Sequence, residues 1–436
     1  MTQELNSREH RAAAEAIVSA VAAERTTMVA SLIRLTGDWD LAEDCVQDAV
    51  EKALARWETD GLPRSPAAWL TTVARNRALD VLRRRRTERA KLQEVAILDA
   101  MGTPDSTPGD PQDPLGDDRL RLIFTCCHPA LALDSRVALT LKTVAGLSTA
   151  EIARAFLVSE STLSQRLLRT KRKITHAGIP YRVPPAELLA ERTSGVLAVL
   201  YLIFNEGYGH PDDHLIIEAR RLIRLLVDLM PDEDEARGLL ALVTFQTARR
   251  STRFDAGGDL VPMEEQDRSQ WDTALVEEGL RHLRRAASSK RPPGRYRLQA
   301  EISACHATAP NPESTPWAAI VPLYDALLVA QPSPVVALNR AIAVGFRDGY
   351  GAGLAEVDAL DGPALAGYYL LPATRADFLR RLGRGDEAQR AYEVALRLTP
   401  PHQPEWRLLQ RRLAEYGVRV VRRGGSAEGA PGRLGV

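Results

Sequence analysis

AAWLTTVARNRALDVLRRRR, spanning Ala67 to Arg86, has an aromatic start, an apolar repeat and an arginine-loaded end. Trp69, Leu70, Val73, Ala74, Leu79 and Leu82 recur at helical spacing and define the buried face of an amphipathic helix. From Arg75 to Lys91 there are eight basic residues against two acidic ones, Asp80 and Glu88. Such a helix suits a polyanion, because each lysine or arginine that meets a phosphate releases condensed counterions. A solvated arginine face would explain the same letters if the run stood alone.

It does not stand alone. LSTAEIARAFLVSESTLSQRLLRTKRKI, Leu147 to Ile174, has the shape of a helix-turn-helix. Ser148 or Thr149 can cap a first helix that carries Glu151 in its first turn and points Ile152, Ala153 and Phe156 inward. Leu157-Val158-Ser159 makes the corner. A second helix is expected from Glu160, burying Leu163, Leu167 and Leu168 and exposing Thr162, Ser164, Gln165, Arg166 and Arg169. Small polar side chains near its start, Ser161 among them, suit base edges in a major groove. The run Arg169, Lys171, Arg172, Lys173 suits phosphate.

With DLAEDCVQDAVEKALARW (Asp40 to Trp57) ahead of them, these motifs stand in the order and spacing of a known family. The first 176 or so residues resemble the extracytoplasmic-function (ECF) sigma factors, bacterial initiation subunits with a region-2 and a region-4 domain. The family pattern has glycine where this chain has Leu157 and Ser161. A leucine held at positive φ costs on the order of 1 kcal/mol, so the corner is expected to be built another way. YLIFNEGYG (Tyr201 to Gly209), ARRSTRFDAGGDLVPMEEQDRSQWD (Ala248 to Asp272) and PSPVVALNRAIAV (Pro332 to Val344) resemble the subgroup with a long helical C-terminal extension ending in tetratricopeptide-like repeats.

The resemblance implies an all-α chain. Region 2 is expected over 10–92, a linker over 93–116, region 4 over 117–178, a helical extension over 186–290, tetratricopeptide-like repeats over 295–418 and a disordered tail over 421–436. It implies that the helix holding Asp44, Gln47, Asp48 and Glu51 on one face meets the β′ clamp of core RNA polymerase, with the β flap as a further contact. Arg75, Asn76 and Arg77 with Arg83, Arg84, Arg85 and Arg86 would hold the separated promoter strand. The loop Trp57 to Pro66 stands where the family takes a flipped base of the downstream (−10) element, which needs a pocket and a few kcal/mol of unstacking. The second helix of the helix-turn-helix would read the upstream (−35) element, with Gln165 and Arg166 at the bases and Lys171 at phosphate.

Composition fits this outline. At 436 residues the chain is long enough for two to four domains, and its 57 basic residues balance its 57 acidic ones, so the basic charge that matters is local. No apolar run approaches membrane-spanning length and MTQELNSREH lacks an apolar signal core, which makes a cytoplasmic protein the expectation. Four cysteines make no disulfide framework, and the adjacent pair Cys126-Cys127 lacks the two-residue gap of zinc ligands, so buried helix is expected there. Asp99 to Asp118, with four prolines and six aspartates and no basic residue, cannot bury a core and reads as linker. His210, Asp212 and His214 could hold a metal at their spacing, but a surface turn with capping aspartates explains them too.

From Trp317 onward, apolar helices alternate with proline breaks, and LGRGDEAQRAYEVALRLTP follows the tetratricopeptide pattern, which would make a surface for a protein or ligand partner. No Ser-His-Asp or Cys-His constellation and no phosphate-cradling glycine loop is present, so neither catalysis nor a cofactor is expected. A polymerase-independent helix-turn-helix regulator is the competing reading. It leaves the Trp69–Arg86 helix and the acidic Asp44–Glu51 face without a role.

Overall fold

Apolar seams broken by caps, glycines and prolines resolve into helices along the chain. The computed structural model describes residues 24–96, 117–156, 158–208, 213–289, 291–401 and 403–416, together with the backbone alone at 58 and 89–96. Among them there is no strand, only an isolated bridge between Phe254 and Leu260. The expected start of region 2 (10–23), most of the linker (97–116), Leu157, His210, Asp212 and the tail 421–436 lie outside the described residues.

The chain divides into two compact units between Leu229 and Met230, inside the stretch 186–290 that the sequence presents as one extension domain. The first unit opens with α1 (24–36), α2 (Trp39–Asp60) and α3 (Pro66–Ala96). Gly37 at φ 66° breaks the chain, and Asp38 accepts the N–H groups of Asp40 and Leu41, both at 3.1 Å, to start α2. α2 and α3 pack along each other, and their buried seams are alanine-rich: Ala42, Ala49 and Ala53 on one, Ala74 and Ala78 with Leu70 on the other. Trp69 is half-buried and meets Trp57 edge-on at 5.4 Å.

α4 (Asp118–Cys126), α5 (Leu133–Leu139), α6 (Thr149–Ala155) and α7 (Glu160–His176) follow. Between α5 and α6 the backbone widens into a π-helical turn, Thr140–Ala145, closed by Gly146 in the left-handed region at φ 84°. Cys126 and Cys127 are buried as expected. Burial pushes the Cys126 thiol well up and Cys127 to about 11, against a relieving contact from Thr140 Oγ1 at 3.6 Å from Cys127 Sγ. α8 (Ala186–Tyr208) and α9 (His214–Leu229) form a hairpin whose buried Val196, Leu200, Ile203 and Phe204 extend the same core. α8 packs on α4 and α5, and Arg192 donates to the Phe124 carbonyl at 2.9 Å.

In the second unit α10 (Asp234–Ala248) is buried nearly all round and packs on both α11 (Thr273–Ala287) and α12 (Arg295–Thr308). α13 (Trp317–Ala330), α14 (Pro334–Asp348), α15 (Tyr350–Ala359), α16 (Leu370–Arg381), α17 (Gly385–Leu398) and α18 (Pro404–Ala414) then each pack on the next. The loop after α10 runs back across the far end of this series. Glu264 pairs with Arg381, Asp259 with Arg407 and Glu265 with Arg412, while Arg411 donates to the Leu260 carbonyl at 3.0 Å.

α14 and α15 meet glycine to glycine. A Cβ on Gly353 would lie 2.6 Å from the Gly345 Cα and 2.7 Å from the Phe378 ring. Gly353→Ala is therefore expected to destabilise the chain by about 1–3 kcal/mol through overpacking. Gly351→Ala, with nothing within 4 Å of the added carbon, should be neutral or slightly stabilising. Urea unfolding of the two variants side by side checks the contrast.

Candidate nucleic-acid interface

The helix-turn-helix forms where the sequence places it, and local hydrogen bonds explain why. Ser148, not Thr149, caps α6: its Oγ accepts the Glu151 N–H at 3.2 Å, and Glu151 Oε2 accepts the Ser148 N–H at 2.7 Å. This reciprocal pair satisfies two otherwise unpaired helix-end donors. Its hydrogen bonds from Ser148 hold the Glu151 carboxyl below its usual range. α7 starts at Glu160 because Ser159 accepts the Thr162 N–H at 3.2 Å. At the corner Phe156 sits at φ −96° and the Val158 N–H reaches back to the Ala153 carbonyl at 3.0 Å.

α7 buries Leu163, Leu167, Thr170 and Ile174, a seam of four- and three-residue steps. Leu168 was expected inside and instead stands 43% exposed, because it follows Leu167 by 100° around the helix and leaves the seam. Ser161, Thr162, Ser164, Gln165, Arg169 and Arg172 are exposed. Arg169 reaches Gln165 Oε1 at 3.4 Å, a tie loose enough to yield to a base edge. Arg166 is half-buried, its guanidinium 3.8 Å from the Asp134 carboxylate of α5. Lys171 does not face solvent: it is 12% exposed and donates to Asp40 Oδ1 at 2.7 Å and Glu43 Oε2 at 3.2 Å, both on α2. Burial opposes its charge, but Glu43 and Asp40 outweigh that and hold the ammonium above its ordinary range.

On α3 the basic residues differ in freedom. Arg75, Asn76, Arg84 and Arg86 are exposed, and the three arginines have no acidic partner among the described residues. Arg83 makes a loose i,i−3 pair with Asp80 at 3.3 Å, and Arg85 reaches back to the α2 cap Asp38 at 3.0 Å. Burial works against charge on Asp38, yet the Leu41 N–H and the Arg85 guanidinium outweigh it and keep the carboxyl below its ordinary range. Arg77 pairs with Asp48 at 2.6 Å, which joins a DNA candidate to a polymerase candidate and raises the guanidinium pKa. Asp44, Gln47 and Glu51 share an exposed face, with Gln47 donating to Glu51 at 3.1 Å. Gly61 to Ser65 forms the exposed link from α2 to α3, and the Trp57 indole N–H behind it is buried without a partner among the described residues. The α2–α7 pairing was not readable from sequence, since neither motif signals the other.

Residues 21–88 match the family described as Sigma-70 region 2, and residues 121–174 the family described as Sigma-70, region 4. The ECF RNA polymerase sigma factor SigL of Mycobacterium tuberculosis is 35% identical over 136 residues, which are 31% of this chain and 73% of that protein. The chain belongs to the ECF sigma factors. The probable ECF RNA polymerase sigma factor SigI of the same organism is 30% identical to this sigma factor over 166 residues, 38% of the chain and 56% of that protein. An uncharacterized protein of Rhizobium meliloti is 43% identical over 387 residues, 87% of the chain and 91% of that protein. Residues 192–287 of the sigma factor match a family of unknown function (DUF6596). Sigma factors are not enzymes, and no helix among the described residues is long and apolar enough to cross a membrane.

Proposed function

We propose that this sigma factor grips the β′ clamp of core RNA polymerase through Asp44, Gln47, Asp48 and Glu51, with the β flap meeting region 4. On this reading α3 holds the separated strand of the downstream element with Arg75, Asn76, Arg77 and Arg83–Arg86. The helix α7 reads the upstream element with Ser161, Thr162, Ser164, Gln165 and Arg166 toward base edges and Arg169, Lys171 and Arg172 toward phosphate. The observation that carries it is a capped helix-turn-helix with a polar, exposed reading face in the same compact unit as an arginine-loaded α3. We also read the extension as a regulator in cis, supported by the packing of its first hairpin on α4 and α5. The pairwise stacking of α13 to α18 supports a tetratricopeptide-like surface for a further partner. The chain works without a cofactor, in the cytoplasm.

Transcription by core enzyme with and without the purified chain, paired with a pull-down of core, tests the reading. Core binding with new start sites is the expected result; duplex binding without core binding would favour the stand-alone regulator. Within that assay, Arg166→Ala should cost about 1–3 kcal/mol on the preferred upstream element and relax preference at one base position. Arg172→Ala should weaken all promoters evenly and lower the salt slope by about 1. Equal losses on every promoter for both variants would sink that division of labour.

A further inference from the structure

A third basic run stands outside the two helices assigned to DNA. From Gly279 to Ala300 there are seven lysines and arginines and not one acidic residue, in a chain whose charges otherwise balance. The run opens on the second half of α11, which turns Gly279, Leu283 and Ala286 inward and leaves Arg281, Arg284 and Arg285 exposed. It continues through the link to α12, which is pinned at both ends. Ser288 Oγ donates to the Arg285 carbonyl at 2.7 Å, and Ser289 Oγ accepts the Arg291 N–H at 3.2 Å. At the far end the Glu235 carboxylate accepts the N–H groups of Tyr296 at 2.9 Å and Arg297 at 3.2 Å.

The arginines of the run divide by what their guanidinium groups do. Arg295 lies over the Tyr296 ring at 4.4 Å and Arg297 pairs with Glu301 at 3.0 Å, so both are engaged within the fold. Arg284 donates to the Leu280 carbonyl at 3.1 Å. Arg281, Arg285 and Arg291 are exposed, and their guanidinium groups have no hydrogen-bond or ion-pair partner among the described residues. Farther along the same unit Arg340, Arg375 and Arg380 meet Glu356, Asp358 and Asp377 at 2.7, 2.7 and 2.6 Å. The unpaired charge is thus gathered at one place. Beside it opens a concavity of about 550 Å³. Arg237, Arg285 and Arg291 line it with Ser288 and Ser289, against the carboxylates of Asp232 and Asp234. Arg237 donates Nε and Nη2 to the Pro231 carbonyl, at 3.2 and 2.8 Å, which fixes the plane of its guanidinium.

We infer that Arg281, Arg285 and Arg291 hold the phosphate backbone of duplex DNA, with Arg237, Ser288 and Ser289 closing round one phosphate in the concavity. Guanidinium groups held in a fixed plane suit phosphate oxygens. Arg281 and Arg285 stand about 6 Å apart along the helix axis, so the row meets a line of charges rather than one ion. Asp232 and Asp234 weaken the concavity for a small free anion, which leaves the affinity to the whole row. No aromatic ring lines the concavity, whereas a bound single strand would need one for base stacking. Such a contact reads no sequence. It adds a backbone hold to the base-reading helix α7, which brings duplex to the same chain at high local concentration. The choice of duplex rests on the proposed reading of α7.

Anisotropy of the full-length chain on a mixed-sequence duplex of about 40 base pairs, across a salt series, tests the contact. Arg281→Ala, Arg285→Ala and Arg291→Ala together remove three contacts of about 0.9 counterion each, so the slope of log affinity against log salt should fall by about 3. Between about 50 and 200 mM salt the wild-type chain should then lose roughly fortyfold more affinity than the variant. Lysine at the same three positions keeps the charge and should restore the slope, and thermal unfolding of both variants should match wild type. Arg390→Ala with Arg397→Ala, exposed on α17, changes net charge outside the run and should leave the slope as it is. Equal slopes for wild type and the triple alanine variant would overturn the contact, as would a difference seen on poly(U) and not on the duplex. A wild-type chain that shows the slope difference but never binds core would remove the sigma reading and leave this site standing.

Discussion

Replacing Arg83, Arg84, Arg85 and Arg86 together by alanine is expected to abolish promoter opening while the helices stay in place. All four stand exposed on α3, and their only ion pairs among the described residues, Arg83 with Asp80 and Arg85 with Asp38, lie at the surface. Exposed pairs of this kind contribute about 0–1 kcal/mol each, so the fold loses little. Binding loses much more. Single strands release about 0.7 counterion per phosphate contact, so four contacts lower the slope of affinity against salt by about 3 and the affinity by roughly a hundredfold at moderate salt. Permanganate reactivity of unpaired thymines across a salt series reads both quantities. A slope unchanged from wild type would show that α3 does not meet the strand.

The second large effect concerns where the chain can be cut. A chain ending at Pro180 is expected to lose its fold, whereas one ending at Leu229 should keep it. The shorter chain lacks Tyr181, whose hydroxyl approaches the Asp118 carbonyl at 3.3 Å, and lacks all of α8 with its buried Val196, Leu200, Ile203 and Phe204. Removing a single buried aromatic side chain costs about 3–5 kcal/mol, and a whole domain is stable by only about 5–15. The first unit ends at Leu229, so a cut there leaves its core covered. Thermal unfolding and gel filtration of both truncations decide the matter; equal stability would mean that α8 contributes nothing to the region-4 core. The comparison also separates folding from regulation, which a cut near residue 180 would confound.

How much of this was legible in the sequence follows from the range of the interactions. The start of α7 at Glu160 could be read because Ser159 caps it from one residue away, and the capping box at Ser148 and Glu151 spans four residues. The seam of α3 could be read in part: Leu70 and Ala74 were placed, while Ala78 was missed because alanine is as common on surfaces as in close helix contacts. Leu168 was misplaced because its neighbour Leu167 satisfies the same apolar count. The partners of Lys171 lie 131 and 128 residues away, and no periodicity links a basic run to an acidic helix start at that distance. The π-helical turn was equally invisible, since TLKTVA carries no letter that distinguishes it from an ordinary last turn.

The loop that returns from α10 to the last helices changes how the second unit can come apart. Stacked helices that touch only their neighbours unfold like a zipper, fraying from the free end one helix at a time. Here Arg381, Arg407, Arg411 and Arg412 bind residues 117 to 151 positions earlier in the chain, so the last helices cannot detach without releasing the loop after α10. Fraying from the free end is thereby opposed, at the cost of slower closure during folding, because contacts between such distant segments form late. The last helices and the loop after α10 thus come apart together rather than one by one.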